Sequence, residues 1–144
     1  MVLTIQIVIT KACPVCKVVL NKVLLPLANA APDLLVLDVK EGIFDRNVVG
    51  MDFRMPGGDY HTFFQRTPEI YFKDKLILLH SPHPKVLIKL LNMILEELYK
   101  EMERKGVSPI RRAYIEKVAR DIYDSLVEDY KKLKKMEKLG LLQS

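Results

Sequence analysis

Several residue types are scarce in this chain of 144 residues, and each scarcity excludes a class of protein. Its only two cysteines stand three positions apart, whereas a small secreted domain held together by disulfides has more cysteines at wider spacings. No apolar run approaches the roughly 20 residues needed to cross a bilayer, so no membrane partner is expected. Tryptophan is absent, and there are only three histidines, which limits the metal sites that the chain could build.

What is present suits one compact domain with an extension. The hydrophobic fraction of 49% is ample for a core, and no stretch has the composition of a disordered segment. The apolar run at residues 2–9 resembles the apolar part of a signal peptide. It lacks the basic segment before it and the small-residue cleavage site after it, so the chain is expected to be cytoplasmic.

The net charge of +5 is concentrated near the C-terminus. Residues 1–99 hold 11 Lys and Arg against 10 Asp and Glu, whereas residues 100–144 hold 12 against 8. Because acidic residues alternate with the lysines of this tail, a solvated helix face is expected there and a nucleic-acid partner is not.

The most informative motif is Cys13-Pro14-Val15-Cys16, which closely follows the apolar run. Two thiols at this spacing, where a strand should turn into a helix, form a redox pair. The N–H groups at the helix start favour the thiolate of Cys13, which becomes the nucleophile. Cys16 is close enough to form a disulfide with Cys13 and to release whatever Cys13 has attacked.

The surrounding pattern predicts alternating strands and helices. Residues 2–9 and 34–39 are apolar and rich in β-branched residues, as buried strands are. Between them a helix begins at Pro14, and Pro26 is expected to end it near Leu25 or to bend it. These elements form a right-handed βαβ unit.

The second half adds a hairpin and two helices. Residues 67–72 and 76–79 are expected to be strands that pair antiparallel through a turn at 73–75. A helix from Pro84 to Gly106 carries one apolar side, made of Leu87, Leu90, Leu91, Ile94, Leu98 and Met102. A second helix follows Ser108 and could run to Leu139, with the expected apolar stripe Ile110, Tyr114, Val118, Ile122, Leu126, Tyr130 and Leu133.

This order of elements resembles the thioredoxin-like superfamily in its short, glutaredoxin-like form, over residues 2–105. The resemblance implies that Cys13 attacks and Cys16 resolves. It also implies that Thr67-Pro68 carries the cis-proline beside the disulfide, and that Pro14, Thr67 and Pro68 contact the substrate. Glutaredoxins have a Gly-Gly pair where this chain has residues 73–75, which argues against glutathione as a dedicated partner.

Other interpretations of the same residues stay open. Cys13 and Cys16 could bind zinc together with His80 and His83, although the prolines around this histidine pair favour a helix cap. The two cysteines could also form an inert disulfide. The aromatic residues Phe53, Tyr60, Phe63 and Phe64 could line a substrate groove or form a small satellite core.

The sequence therefore predicts an α/β fold with a thioredoxin-like four-stranded mixed sheet, helices on both faces and a long C-terminal helical extension. The expected domains are residues 1–106 and residues 107–144. The expected function is thiol–disulfide exchange on protein disulfides, with no cofactor and no metal. The alternative is a thioredoxin-fold interaction module in which the cysteines are structural and the C-terminal helix mediates dimerisation or partner binding.

Overall fold

The computed structural model describes residues 3–10, 13–41, 68–73, 75–79 and 81–140. Over these ranges it has four strands, β1 (Leu3–Ile9), β2 (Leu35–Glu41), β3 (Glu69–Phe72) and β4 (Lys75–Leu78). They form one sheet in the order β2-β1-β3-β4. Strands β1 and β2 are parallel, while β3 is antiparallel to both of its neighbours. The predicted α/β fold with a four-stranded mixed sheet is confirmed.

The helices of the described ranges lie where the sequence pattern placed them. Helix α1 (Pro14–Val19) continues through a π-helical turn (Leu20–Leu24) into α2 (Leu25–Ala30). After the hairpin come α3 (Pro84–Lys105) and the long C-terminal helix α4 (Pro109–Lys138). None of them is both long enough and apolar enough to cross a membrane.

Pro26 does not stop the first helix but changes its hydrogen bonding. Proline lacks an N–H, and its ring crowds the carbonyl four residues earlier, so a regular α-helix cannot continue through it unchanged. Here the N–H of Leu25 donates to the carbonyl of Leu20, five residues back, in the turn just before Pro26. This widened turn lets the chain continue as α2.

One face of the sheet forms the core. Along β1 the residues Leu3, Ile5 and Ile7 are buried, whereas Thr4 between them is exposed, as the two-residue period of a strand requires. The register places Ile70 opposite Ile7 on this same face. These side chains share one hydrophobic cluster with residues of all the described helices. The short helix that residues 43–49 suggested lies outside the described residues.

Helix α3 confirms the predicted apolar side, since all six of its expected residues are buried. It ends where predicted, at Gly106, which has a φ of 62° and donates its N–H to the carbonyls of Met102 and Glu103. A positive φ at this position favours glycine, and the turn sends the chain back along α3.

The apolar stripe predicted for α4 is partly wrong. The buried residues are Ile115, Ala119, Ile122 and Leu126, whereas Ile110 is 86% exposed and Tyr114 is 56% exposed. A strict four-residue spacing drifts by about 40° per step on an α-helix, so residues 110 and 126 lie roughly 160° apart. A single helix face cannot bury both. The residues that are buried are spaced by four, three and four positions, and the three-residue spacing cancels most of this drift, so they stay on one face of the helix.

Helix α4 packs against α2 and α3 within the same chain. Its buried residues belong to the same hydrophobic cluster as the sheet. Two ion pairs connect it to the N-terminal half of the chain, Arg111 with Asp33 and Asp129 with Lys22. The apolar face of this helix is therefore covered without a second copy of the chain.

Candidate active site

The backbone of the cysteine motif is held by its own hydrogen bonds. Cys13 is the N-cap of α1, and its N–H donates to the carbonyl of Thr10 at 3.3 Å. The N–H of Cys16 donates to Sγ of Cys13 at 3.1 Å, and the N–H of Lys17 donates to the carbonyl of Cys13 at 3.4 Å. The first sulfur thus occupies the position where a serine or aspartate oxygen caps other helices.

A disulfide joins Cys13 and Cys16, whose Cα atoms are 5.3 Å apart. One turn of helix brings residues three positions apart onto the same side, and this distance lies within the range that disulfides need. The structure therefore shows a pair that can form the internal disulfide without a large movement of the backbone.

Both cysteines are buried, Cys16 more completely than Cys13. Cys13 is 7% exposed and Cys16, in the first turn of α1, is 1% exposed. Pro14, at the first position of α1, is exposed.

The expected proline of the substrate site lies at the same end of the sheet. Glu69 pairs with Val8, so the antiparallel register continues with Pro68 next to Ile9, at the end of β1 that leads to Cys13. Pro68 is buried there. Thr67 lies outside the described residues, and the cis bond between them stays a prediction.

His83 acts as a helix cap, as the flanking prolines indicated. Its Nδ1 accepts the N–H of Lys85 at 3.1 Å, at the start of α3. The edge of its ring faces Tyr130 of α4, with the ring centroids 5.9 Å apart. His80 lies outside the described residues, as do Phe53, Tyr60, Phe63 and Phe64. Across the described ranges no three His, Cys, Asp or Glu side chains come together as metal ligands.

The sequence interpretation missed what the end of α4 contributes to this region. Two cations lie near the ring of Tyr130, with Nζ of Lys85 at 5.4 Å and Nζ of Lys134 at 5.6 Å from the ring centroid. The lengths of the two helices could have indicated this position. Because α4 has 30 residues and returns along an α3 of 22 residues, it must extend past the start of α3.

Comparisons with models of protein families, with curated proteins and with solved structures found no match for this chain. The four-stranded mixed sheet, its helices and the Cys13–Cys16 pair are compatible with a thioredoxin-like fold. The chemistry of the site must therefore be argued from its own geometry.

Proposed function

We propose that this protein is a thiol–disulfide oxidoreductase of the thioredoxin-like superfamily that acts on protein disulfides. The observation that carries the proposal is the position of the Cys13–Cys16 disulfide at the start of a helix. There Sγ of Cys13 accepts a backbone N–H, and Cys13 is the less buried of the two cysteines.

The N–H of Cys16 supports the chemistry of the reduced state. In the oxidised state it points at Sγ of Cys13 from 3.1 Å. After reduction the same donor faces a thiolate, and hydrogen bonds to ionised acceptors are roughly twice as strong as neutral ones. The partial positive charge at the helix start acts in the same direction. Both effects favour the ionised form of Cys13, which is the form that attacks a disulfide.

The exchange consumes the reduced dithiol and produces the internal disulfide. The Cys13 thiolate attacks one sulfur of the substrate disulfide, forming a mixed disulfide, and the other substrate sulfur leaves as a thiolate that takes up a proton. The Cys16 thiol then loses its proton and attacks Sγ of Cys13. The first substrate sulfur leaves, so that two electrons and two protons have passed to the substrate.

The remaining site residues would position the substrate. Pro14 lies exposed beside Cys13, and Pro68 lies at the same end of the sheet. A cis peptide bond before Pro68 would leave the backbone of Thr67 free to pair with an extended substrate strand. Main-chain pairing of this kind accepts many sequences and suits a protein substrate.

Two single substitutions test the proposal. Cys13→Ser should abolish the acceleration of insulin reduction by dithiothreitol, because no nucleophile remains at the less buried position. Cys16→Ser should accumulate a mixed disulfide with insulin chains, detected by intact-mass measurement, because the resolving thiol is missing. The double variant is the control and should trap nothing. Insulin reduction at the parental rate by both single variants would contradict the mechanism.

One observation favours the alternative, an interaction module with structural cysteines. Ile110 and Tyr114 of α4 are largely exposed and could contact a partner or a second copy. Sedimentation of the full chain and of Ile110→Ser/Tyr114→Ser tests this. A dimer that the double substitution dissociates would support the module, whereas a monomer at all concentrations would contradict dimerisation through this surface.

A further inference from the structure

The strand directions place two helix starts at the same end of the sheet. Strand β4 is antiparallel to β3, which is antiparallel to β1, so β1 and β4 point the same way. Helix α1 begins after β1, at Cys13, and α3 begins after β4, at His83. Both caps therefore lie at one end of the molecule, called here the disulfide end.

Helix α4 runs toward this end. The helix starts at the opposite end of the sheet, where Arg111 pairs with Asp33, two positions before the first residue of β2. Farther along, Asp129 pairs with Lys22, in the middle of the first helical segment, and Tyr130 contacts the ring of His83. Since Tyr130 has already reached the start of α3, the eight residues that follow extend about 12 Å farther.

These residues, 131–138, form what we call the basic end of α4. They hold five lysines and one glutamate, with the exposed side chains Lys131, Lys132, Lys134, Lys135 and Lys138. Lys85, at the start of α3, adds a further positive charge to this region, because both Lys85 and Lys134 contact the ring of Tyr130. Lys132, Lys135 and Lys138 make no ion pair with any residue of the described ranges.

We propose that the basic end of α4 recruits acidic polypeptides to the Cys13–Cys16 disulfide. This inference rests on the proposed thiol–disulfide exchange and adds the class of substrate. A cluster of lysines beside a reactive site raises the local concentration of oppositely charged substrates and their association rate. Here the cluster has a fixed direction, because the helix that bears it packs firmly on α2 and α3.

The observations favour a polypeptide over a nucleic acid. Glu128 and Glu137 form ion pairs with Lys131 and Lys134, at 3.9 Å and 3.8 Å, which interrupts the continuous positive surface that a phosphate backbone needs. The ring of Tyr130 already contacts two lysines and His83, so a base that stacked on it would compete with these contacts. The chemistry of the neighbouring disulfide also belongs to polypeptides.

Two triple variants with the same net charge test the proposal. In the first, Lys132, Lys135 and Lys138 are replaced by glutamine, which keeps the helix propensity of lysine and removes only the charges. In the matched control, the exposed residues Lys100, Lys117 and Lys105, which lie away from the disulfide end, are replaced by glutamine. Each reduced protein is mixed with one of two synthetic peptides that contain the same disulfide ring, flanked by four glutamates or by four glutamines.

The parent should reduce the acidic peptide about tenfold faster than the neutral peptide at low salt, with most of this preference lost in 0.5 M salt. The first variant should lose the preference, whereas the control should keep it. Both variants should reduce the neutral peptide at the parental rate, because neither touches the cysteines.

The possible failures are distinct. Equal rates on the two peptides for the parent would overturn this inference and leave the exchange chemistry intact. If neither peptide is reduced, the proposed function itself is wrong, and the inference with it. A duplex oligonucleotide of 20 base pairs is the third probe. If it binds the parent but not the first variant, and the peptides show no preference, the basic end serves nucleic acid and the proposal is overturned.

Discussion

Reduction of the Cys13–Cys16 disulfide should lower the free energy of unfolding only modestly. The bond closes a loop of only four residues, because the cysteines are three positions apart. The loop-entropy relation gives about 2 kcal/mol of stabilisation for a loop of this length. On this count alone, the oxidised chain would be about 2 kcal/mol more stable than the reduced one.

The reduced state recovers much of this difference if Cys13 is ionised. Its thiolate would accept the N–H of Cys16 and interact with the start of the helix, and both stabilise an anion. The two effects together are worth about 1–2 kcal/mol, after allowance for the burial of the charge. An ordinary thiol ionises near pH 8.5, so a stabilisation of this size is complete only above that pH and contributes only about 0.1–0.4 kcal/mol at pH 7. The oxidised chain should therefore be more stable than the reduced chain by about 1.5–2 kcal/mol at pH 7.

Urea unfolding of the oxidised chain and of the chain kept in dithiothreitol measures this difference. With an m-value of about 1–2 kcal/mol per M, the midpoint of the reduced chain should lie roughly 1–2 M lower than that of the oxidised chain. The Cys13→Ser variant, which cannot form the disulfide, should unfold at the same midpoint with and without dithiothreitol.

A large difference at pH 7 would refute this reasoning. If the reduced chain were less stable by about 3 kcal/mol or more, the disulfide would be a structural crosslink of the kind found in small secreted domains. A thermodynamic cycle links this to the redox potential, since 1.4 kcal/mol corresponds to about 30 mV for a two-electron couple. A strongly stabilising disulfide would thus resist reduction, as the interaction-module alternative requires.

Four further substitutions test the fold, each by urea unfolding. Leu126→Ala should lower the free energy of unfolding by about 2–5 kcal/mol, because its side chain is fully buried, whereas Ile110→Ala, on the exposed side of α4, should change it little. Gly106→Ala should cost about 1 kcal/mol through its positive φ alone, since nothing lies near the added methyl group. Burial, and secondly Glu116, raise the pKa of Tyr99 above its usual value near 10. The unfolded chain therefore loses this proton first, stability falls as the pH rises from 10 through the folded pKa, and Tyr99→Phe should reduce that fall.

Features decided within a few residues could be predicted from the sequence. The spacing of Cys13 and Cys16 and the helix start at Pro14 together predict a disulfide-competent pair, which the structure shows. The regular spacing of leucines in residues 84–105 predicts the buried side of α3, and Gly106 predicts its end. In each case the local pattern has one low-energy outcome, so no distant contact is needed to decide it.

Features that depend on distant contacts could not be predicted. The α4 stripe was misjudged because several apolar residues, including Ile110 and Tyr114, match a four-residue spacing that no single helix face can bury. Which of them lie inside is decided by the positions of α2 and α3. The outcome at Pro26 is similar, since proline permits a stop, a bend or a widened turn. The packing of Val23, Leu24 and Leu27 in the core stabilises the third of these.

The position of the end of α4 follows partly from a local sequence pattern and partly from contacts between distant elements. A glycine turn between two helices predicts that they are antiparallel, and the difference of eight residues between α3 and α4 then requires an overhang at the disulfide end. If the overhang only capped the core, apolar residues would dominate it, because water-excluding contacts are what such a cap supplies. Instead lysines dominate it. Lys135 and Lys138, in the last turn, are favoured by the partial negative charge at the end of the helix. This effect does not account for Lys131, Lys132 and Lys134, which precede that turn, and we explain their charges by the acidic polypeptides that the overhang would attract to the disulfide end.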